Sequence, residues 1–205
     1  MTSTTPAVDT ASTVRTLSIA DPGPLGLAAF ALTTFTLSVF NSGFLPLTLE
    51  PIVLPLALFY GGAAQVIAGV MEFFKNNTFG ALAFTSYGAF WLAFSYILGN
   101  PQLLAKASPA DAPHAIGLFL LGWTIFTAYM TFAVTKVNGA LLATFCVLLV
   151  AFICLTLGKF TGTSTWTTIG GYTGIITAFL AWYTSAAGVA NSTFGRVVLP
   201  VWPLK

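Results

Sequence analysis

Uncharged polar side chains recur at helical spacing in this sequence, and they are the groups with which it could do chemistry. Phe30, Thr33, Thr34, Leu37, Ser38 and Asn41 follow i, i+3, i+4, i+7, i+8 and i+11, which is one face of a helix. Gln65 shares a face with Gly61, Ala68 and Glu72, Tyr87 with Trp91 and Ser95, and Trp123 with Thr127 and Thr131. A further stripe runs through Thr173, Thr177, Ala181, Thr184 and Gly188. Hydroxyl and amide N–H groups can donate to a small anion or a neutral acid, while rings and leucines accept its apolar end. The alternative use of such stripes is helix packing, since small residues let backbones approach and Ser or Thr bonds across helices contribute ~0.6 kcal/mol on average. Packing explains any one stripe; several in one short chain point to a narrow path of hydroxyls, amides and rings interrupted by apolar constrictions.

Other chemistry lacks its residues. No Gly-rich phosphate loop leads into Lys and Ser/Thr, and no Cys/His cluster has metal-ligand spacing. The lone histidine, His114, is expected at a loop end, and Cys146 and Cys154 fall eight positions apart in one apolar stretch. The expectation is a protein with no enzymatic activity, no cofactor and no metal.

The elements that must position these stripes follow from the charges. The 205 residues are 57% hydrophobic and 6% charged, and mean hydropathy is +0.90. A soluble domain is about 25% charged, so this chain belongs in a bilayer. Seven Lys and Arg against five Asp and Glu are too few to bind nucleic acid. The charges separate apolar runs, each long enough for the ~20 residues of a crossing. Spans are predicted at about 25–44, 52–73, 79–98, 116–135, 139–157 and 168–190, and none alternates as a barrel strand would. The fold expected is all-α: a polytopic membrane protein of six transmembrane helices, residues 22–205, after a disordered tail, 1–21, that lacks the apolar core of a signal peptide. Residues 99–115 form the one sizeable loop.

Arg15, Lys75, Lys136, Arg196 and Lys205 fall on the side of both termini, and Lys106 and Lys159 on the other, so the termini are expected in the cytoplasm. The location expected is the plasma membrane. A path for metal cations or amines would need a carboxylate at mid-depth, and Glu50 and Glu72 lie at predicted helix ends. A short carboxylate fits best; urea, ammonia, water and glycerol fit less specifically. A non-transport scaffold is disfavoured by the small extramembrane surface. The pentads Asn76–Gly80 and Asn191–Gly195 hint at a repeated hairpin.

The stretch Asp21-Pro22-Gly23-Pro24-Leu25-Gly26-Leu27-Ala28-Ala29-Phe30 resembles the N-P-x-P-L-G-L-x-x-F signature of the acetate uptake transporter family. The block from Phe59 to Glu72, FYGGAAQVIAGVME, is similar to its F-Y-G-G-x-A-Q-x-x-A-G-x-x-E motif, and Asn77 to Gly80, Ala83 to Trp91 and Phe194 to Pro200 resemble further family segments. The resemblance covers residues from about 21 to 201. It implies six helices, a homo-hexamer in the bilayer, and uptake of acetate and related short carboxylates, succinate in some members, by anion channel or proton symport. It also implies a pore constriction at Phe30, Tyr87 and Leu148 and a substrate-size position at Ala181. Asp21 departs from the family's Asn, and Gly23 from its common Ala, which puts an acid at the cytoplasmic entrance. The expected route carries a carboxylate from outside past Asn41, Ser38, Thr33 and Gln65, with Trp91 also lining it. Asp21 and Glu72 are the candidates for entrance or proton-coupling roles; without a mid-depth carboxylate, the expectation tilts toward a passive or weakly coupled pathway.

Overall fold

The computed structural model describes residues 19–204, and among them six helices are long and apolar enough to cross a membrane. They are α1 (Gly23–Asn41), α2 (Leu47–Phe74), α3 (Thr78–Gly99), α4 (Ala112–Val134), α5 (Gly139–Thr161) and α6 (Ser164–Phe194). Most of the expected tail, with Arg15 and Lys205 of the charge count, lies outside the described residues. The first helix begins and the last ends on one face of the bundle, here called lower; the opposite face is upper.

Each boundary has a local cause. Asn77 accepts a bond from Gly80 N at 3.1 Å and starts α3, and Asn138 accepts from Leu141 N at 2.8 Å and starts α5. Gly162 (φ +68°) and Gly195 (φ +62°) end α5 and α6 in the left-handed region that favours glycine. Helix α2 opens as a 3-10 turn, Leu47–Ile52, which holds Pro51 in its interior, and becomes π-helical over Leu56–Ala64 before returning to α at Gln65–Phe74. Such a π segment shifts the register of side chains within one helix and is frequent at functional sites.

The structure revises two expectations. The loop at 99–115 is shorter, because a 3-10 turn occupies Pro101–Leu104 and α4 already starts at Ala112. His114 therefore sits in the first turn of α4, stacked on Phe160 at 6.0 Å between ring centroids. The two similar pentads also do different work. Asn76, at φ +55°, lies in the turn before α3, which Asn77 caps, whereas its counterpart Asn191 lies inside α6 and reaches over to the segment that follows it. They are not a structural repeat.

That following segment is strapped across the lower face. The Asn191 carboxamide accepts from Val198 N and Leu199 N and donates to the Leu199 carbonyl at 2.8 Å. The Tyr183 hydroxyl donates to the Pro200 carbonyl at 2.7 Å. The first N–H groups of α5, at Gly139 and Ala140, donate to the carbonyls of Trp202 and Val201. The strap thus satisfies orphan donors that every helix start leaves.

Helix α1 packs along α2 and α6, α5 along α4 and α6, and α3 along α2. Close approach depends on glycine. A Cβ on Gly171 of α6 would meet the backbone at Asn41 and Ser42 of α1, and one on Gly69 of α2 would meet the backbone at Thr85 of α3. Overpacking of this kind costs about 1–3 kcal/mol. Gly171→Leu is expected to lower the apparent melting temperature of the detergent-solubilised protein by several degrees, while Gly122→Leu, where no atom lies within 4 Å, leaves it close to wild type.

Candidate functional site

Two cavities lie end to end inside the bundle. The upper, of about 150 Å³, is lined among others by Thr34, Ser38 and Asn41 of α1 and Trp91 of α3. The lower, of about 310 Å³, is lined by Gln65 and Glu72 of α2, Tyr87 of α3 and Thr184 of α6. Phe30 and Leu148 line both. They form the wall where the cavities meet, and they are 6% and 5% exposed.

Neighbouring rings hold this wall in place. The Phe30 and Tyr87 rings are 5.6 Å apart between centroids. Tyr87 is packed edge-on against Phe126 at 5.1 Å, and its hydroxyl shares a hydrogen bond of 2.9 Å with Thr127 of α4. That bond draws the phenol toward α4, so the girdle presents carbon. Phe30, Tyr87 and Leu148, singled out by family resemblance, are thereby brought together in one buried cluster.

The lining on α5 comes from a stripe the sequence reading did not pick out beyond Leu148. Leu141, Phe145 and Leu148 line the lower cavity, and Leu148, Phe152 and Leu155 the upper. Their spacing of four and three residues is regular. In a helix this apolar, the carbon stripe has little polar contrast to mark it beyond Thr144, which lines the lower cavity.

The predicted hydroxyl donors divide into two groups. Most of the buried threonines spend their proton on their own helix: Thr33 donates to Ala29 O, Thr144 to Ala140 O, Thr177 to Thr173 O and Thr184 to Leu180 O. Thr33 is also a correction to the expected route. It lines neither cavity, because it lies on the α2 side of the stripe, where its side chain fills the space left by Gly61. Its neighbour Thr34 takes the place expected for it. Thr34 Oγ1, Trp91 Nε1 and Gln65 Oε1 are buried without a hydrogen-bond partner, and all three residues line a cavity. Buried polar atoms are nearly always paired; here the Thr34 hydroxyl and the Trp91 N–H have a donor to offer and the Gln65 carbonyl an acceptor. Ser38 and Asn41 line the upper cavity as expected. Ala181 lines neither; it is fully buried on the α6 stripe between Gly174, which lines the upper cavity, and Thr184, which lines the lower. Its small side chain backs the same buried cluster as the girdle.

The acids at the lower mouth are tied to the fold. Glu72, 1% exposed, accepts from Asn77 Nδ2 at 2.8 Å, joining the end of α2 to the cap of α3. Asp21 accepts from Gly23 N and pairs with Lys75 at 2.8 Å, fastening the start of α1 to the end of α2. Both residues line the lower cavity. Neither lies at the girdle.

The model of the GPR1/FUN34/yaaH family matches residues 3–205. The chain is 40% identical over 185 residues to the succinate-acetate/proton symporter SatP of Escherichia coli strain K12, covering 89% of this chain and 95% of that one. It is 41% identical to acetate permease A of Emericella nidulans, covering 92% of this chain and 67% of the relative, and 44% identical to ammonia transport outward protein 2 of Saccharomyces cerevisiae, covering 84% and 62%. It thus spans about two thirds of the length of these fungal relatives. A solved structure described as the bacterial acetate channel SatP superposes with a TM-score of 0.83 at 39% identity, covering 90% of this chain and 99% of that one. Six apolar helices, signature stretches in order and a match along nearly the whole sequence agree: the chain belongs to the GPR1/FUN34/yaaH family.

Proposed function

We propose that the chain carries acetate and related short carboxylates, succinate among them, across the plasma membrane along the two cavities, with no chemical change to the substrate. The observation that carries this reading is the pair of cavities meeting at Phe30 and Leu148, with the unpartnered Thr34 hydroxyl and Trp91 N–H above to donate to a carboxylate, the unpartnered Gln65 carbonyl below to accept from a protonated acid or water, and carbon between. Relatives named as acetate permease and as succinate-acetate/proton symporter support the substrate class. The lower face is cytoplasmic, since the described Lys75, Lys136 and Arg196 lie on it, and the protomers assemble as a homo-hexamer, each with its own path.

A carboxylate enters from the upper face, meets Asn41, Ser38, Thr34 and Trp91, and sheds water to cross the girdle toward Gln65. Desolvating the anion sets the barrier, so small or protonated acids cross faster. No Asp or Glu lines the wall shared by the cavities, and Glu72 and Asp21 are held in bonds at the lower mouth. The path is therefore passive or only weakly coupled, and a proton that crosses with the substrate rides on the acid itself. The carbon girdle would also pass a neutral solute, and a relative named for outward ammonia transport favours that second reading. Saturable entry of labelled acetate into proteoliposomes, with urea and ammonia as comparators, separates the two.

Acetate-evoked current is expected to reverse where the acetate gradient alone dictates; uphill uptake driven by an imposed pH gradient would reject the passive path. Phe30→Ala and Leu148→Ala are expected to raise lactate or succinate uptake relative to acetate several-fold, and unchanged ratios in both variants would sink the girdle. Trp91→Phe removes a buried donor to a charged ligand, a bond of about 1.5–3 kcal/mol, so the acetate KM is expected to rise about tenfold or more.

A further inference from the structure

The upper cavity carries two charges that have no part in the girdle. Glu50, in the 3-10 turn that opens α2, and Lys159, in the last turn of α5, both line it and are the only charged residues among those described that do. They attract one another through space. No ion pair closes between them, whereas Lys75 at the lower mouth closes on Asp21 at 2.8 Å. The two mouths therefore differ. The lower has two acids and one neutralised base, and the upper has an exposed lysine in the wall of a cavity that Phe94, Leu120 and Phe152 also line.

We propose that Lys159 is the carboxylate-capture residue of the upper mouth, and that Glu50 is the counter-charge with which an incoming short carboxylate competes. The inference rests on the carboxylate-path reading. Apolar walls concentrate the field of a single cation in a cleft and raise the local concentration of anions. Glu50 moderates that field, so the captured acid is released downward rather than trapped. The unpartnered donors Thr34 and Trp91 in the same cavity then receive it next to Phe30. Lys159 also complements the C-terminal end of α5, but that role does not require a place in the cavity wall and would leave transport affinity untouched.

Initial rates of labelled acetate uptake into proteoliposomes, at low and high ionic strength, test this with wild-type, Lys159→Gln, Lys159→Arg and Glu50→Gln proteins. Lys159→Gln is expected to raise the acetate KM three- to tenfold with little change in maximal rate, to lose most of the salt dependence of KM, and to leave urea permeation as it was. Lys159→Arg restores KM to within about twofold of wild type, and Glu50→Gln lowers it two- to threefold. A wild-type KM with wild-type salt dependence in Lys159→Gln overturns the proposal and leaves Lys159 a helix-end or lipid-facing charge. If Lys159→Gln fails to fold, an unchanged KM in Glu50→Gln overturns it instead. Wild-type protein that admits no acetate is a different result: it rejects the carboxylate path itself, and this proposal falls with it.

Discussion

Hydrocarbon gives an amide, a hydroxyl or an indole N–H nothing to bond to, and that one constraint organises this bundle. Polar side chains must turn inward, and once inside they compete for partners. The helices settle most of that competition locally, because a threonine hydroxyl can bond the carbonyl one turn back, as Thr33, Thr144, Thr177 and Thr184 do. The few polar atoms left over are concentrated where the helices fail to fill the interior. A transport path is then the part of the core in which polar groups remain unsatisfied and backbone packing is incomplete.

The same constraint explains what could be read from the amino-acid sequence. Charges confined to connections and helix ends made six crossings legible, and helical periodicity placed Phe30, Ser38, Asn41 and Trp91 on faces that do line the upper cavity. Between adjacent threonines, periodicity was too coarse: Thr33 and Thr34 differ by one residue, and only the contact with Gly61 decides which of them faces α2. Boundaries were off where polar residues continue a helix, as at both ends of α6, or where a turn tightens before it, as at Pro101. On α5 only Leu148 and Thr144 stood out, and the rest of its cavity face was hard to read because a stripe of carbon on an apolar helix carries little contrast.

Long-range hydrogen bonds were the other hidden layer. Asn191 read as part of a repeated pentad, yet its carboxamide is committed to a strap whose carbonyls cap the start of α5. Glu72 read as a candidate for coupling, and its buried bond to Asn77 makes it a joint between α2 and α3. Asp21 likewise fastens α1 to α2 through Lys75. Each assignment needs a partner that sequence spacing alone does not supply. These joints brace the lower mouth, and Val201 of the strap is itself part of the lower cavity's wall.

The α5 stripe has one more consequence. Its cavity-lining members are Leu141, Phe145, Leu148, Phe152 and Leu155, and exchanging one such residue for another alters how readily a helix enters the membrane by only a few tenths of a kcal/mol. The width of the cavities along this face can therefore change without disturbing the cost of inserting the helix. Biogenesis and solute choice are free to vary independently here, so relatives of near-identical hydropathy can diverge in what they carry through a handful of apolar exchanges on a single face.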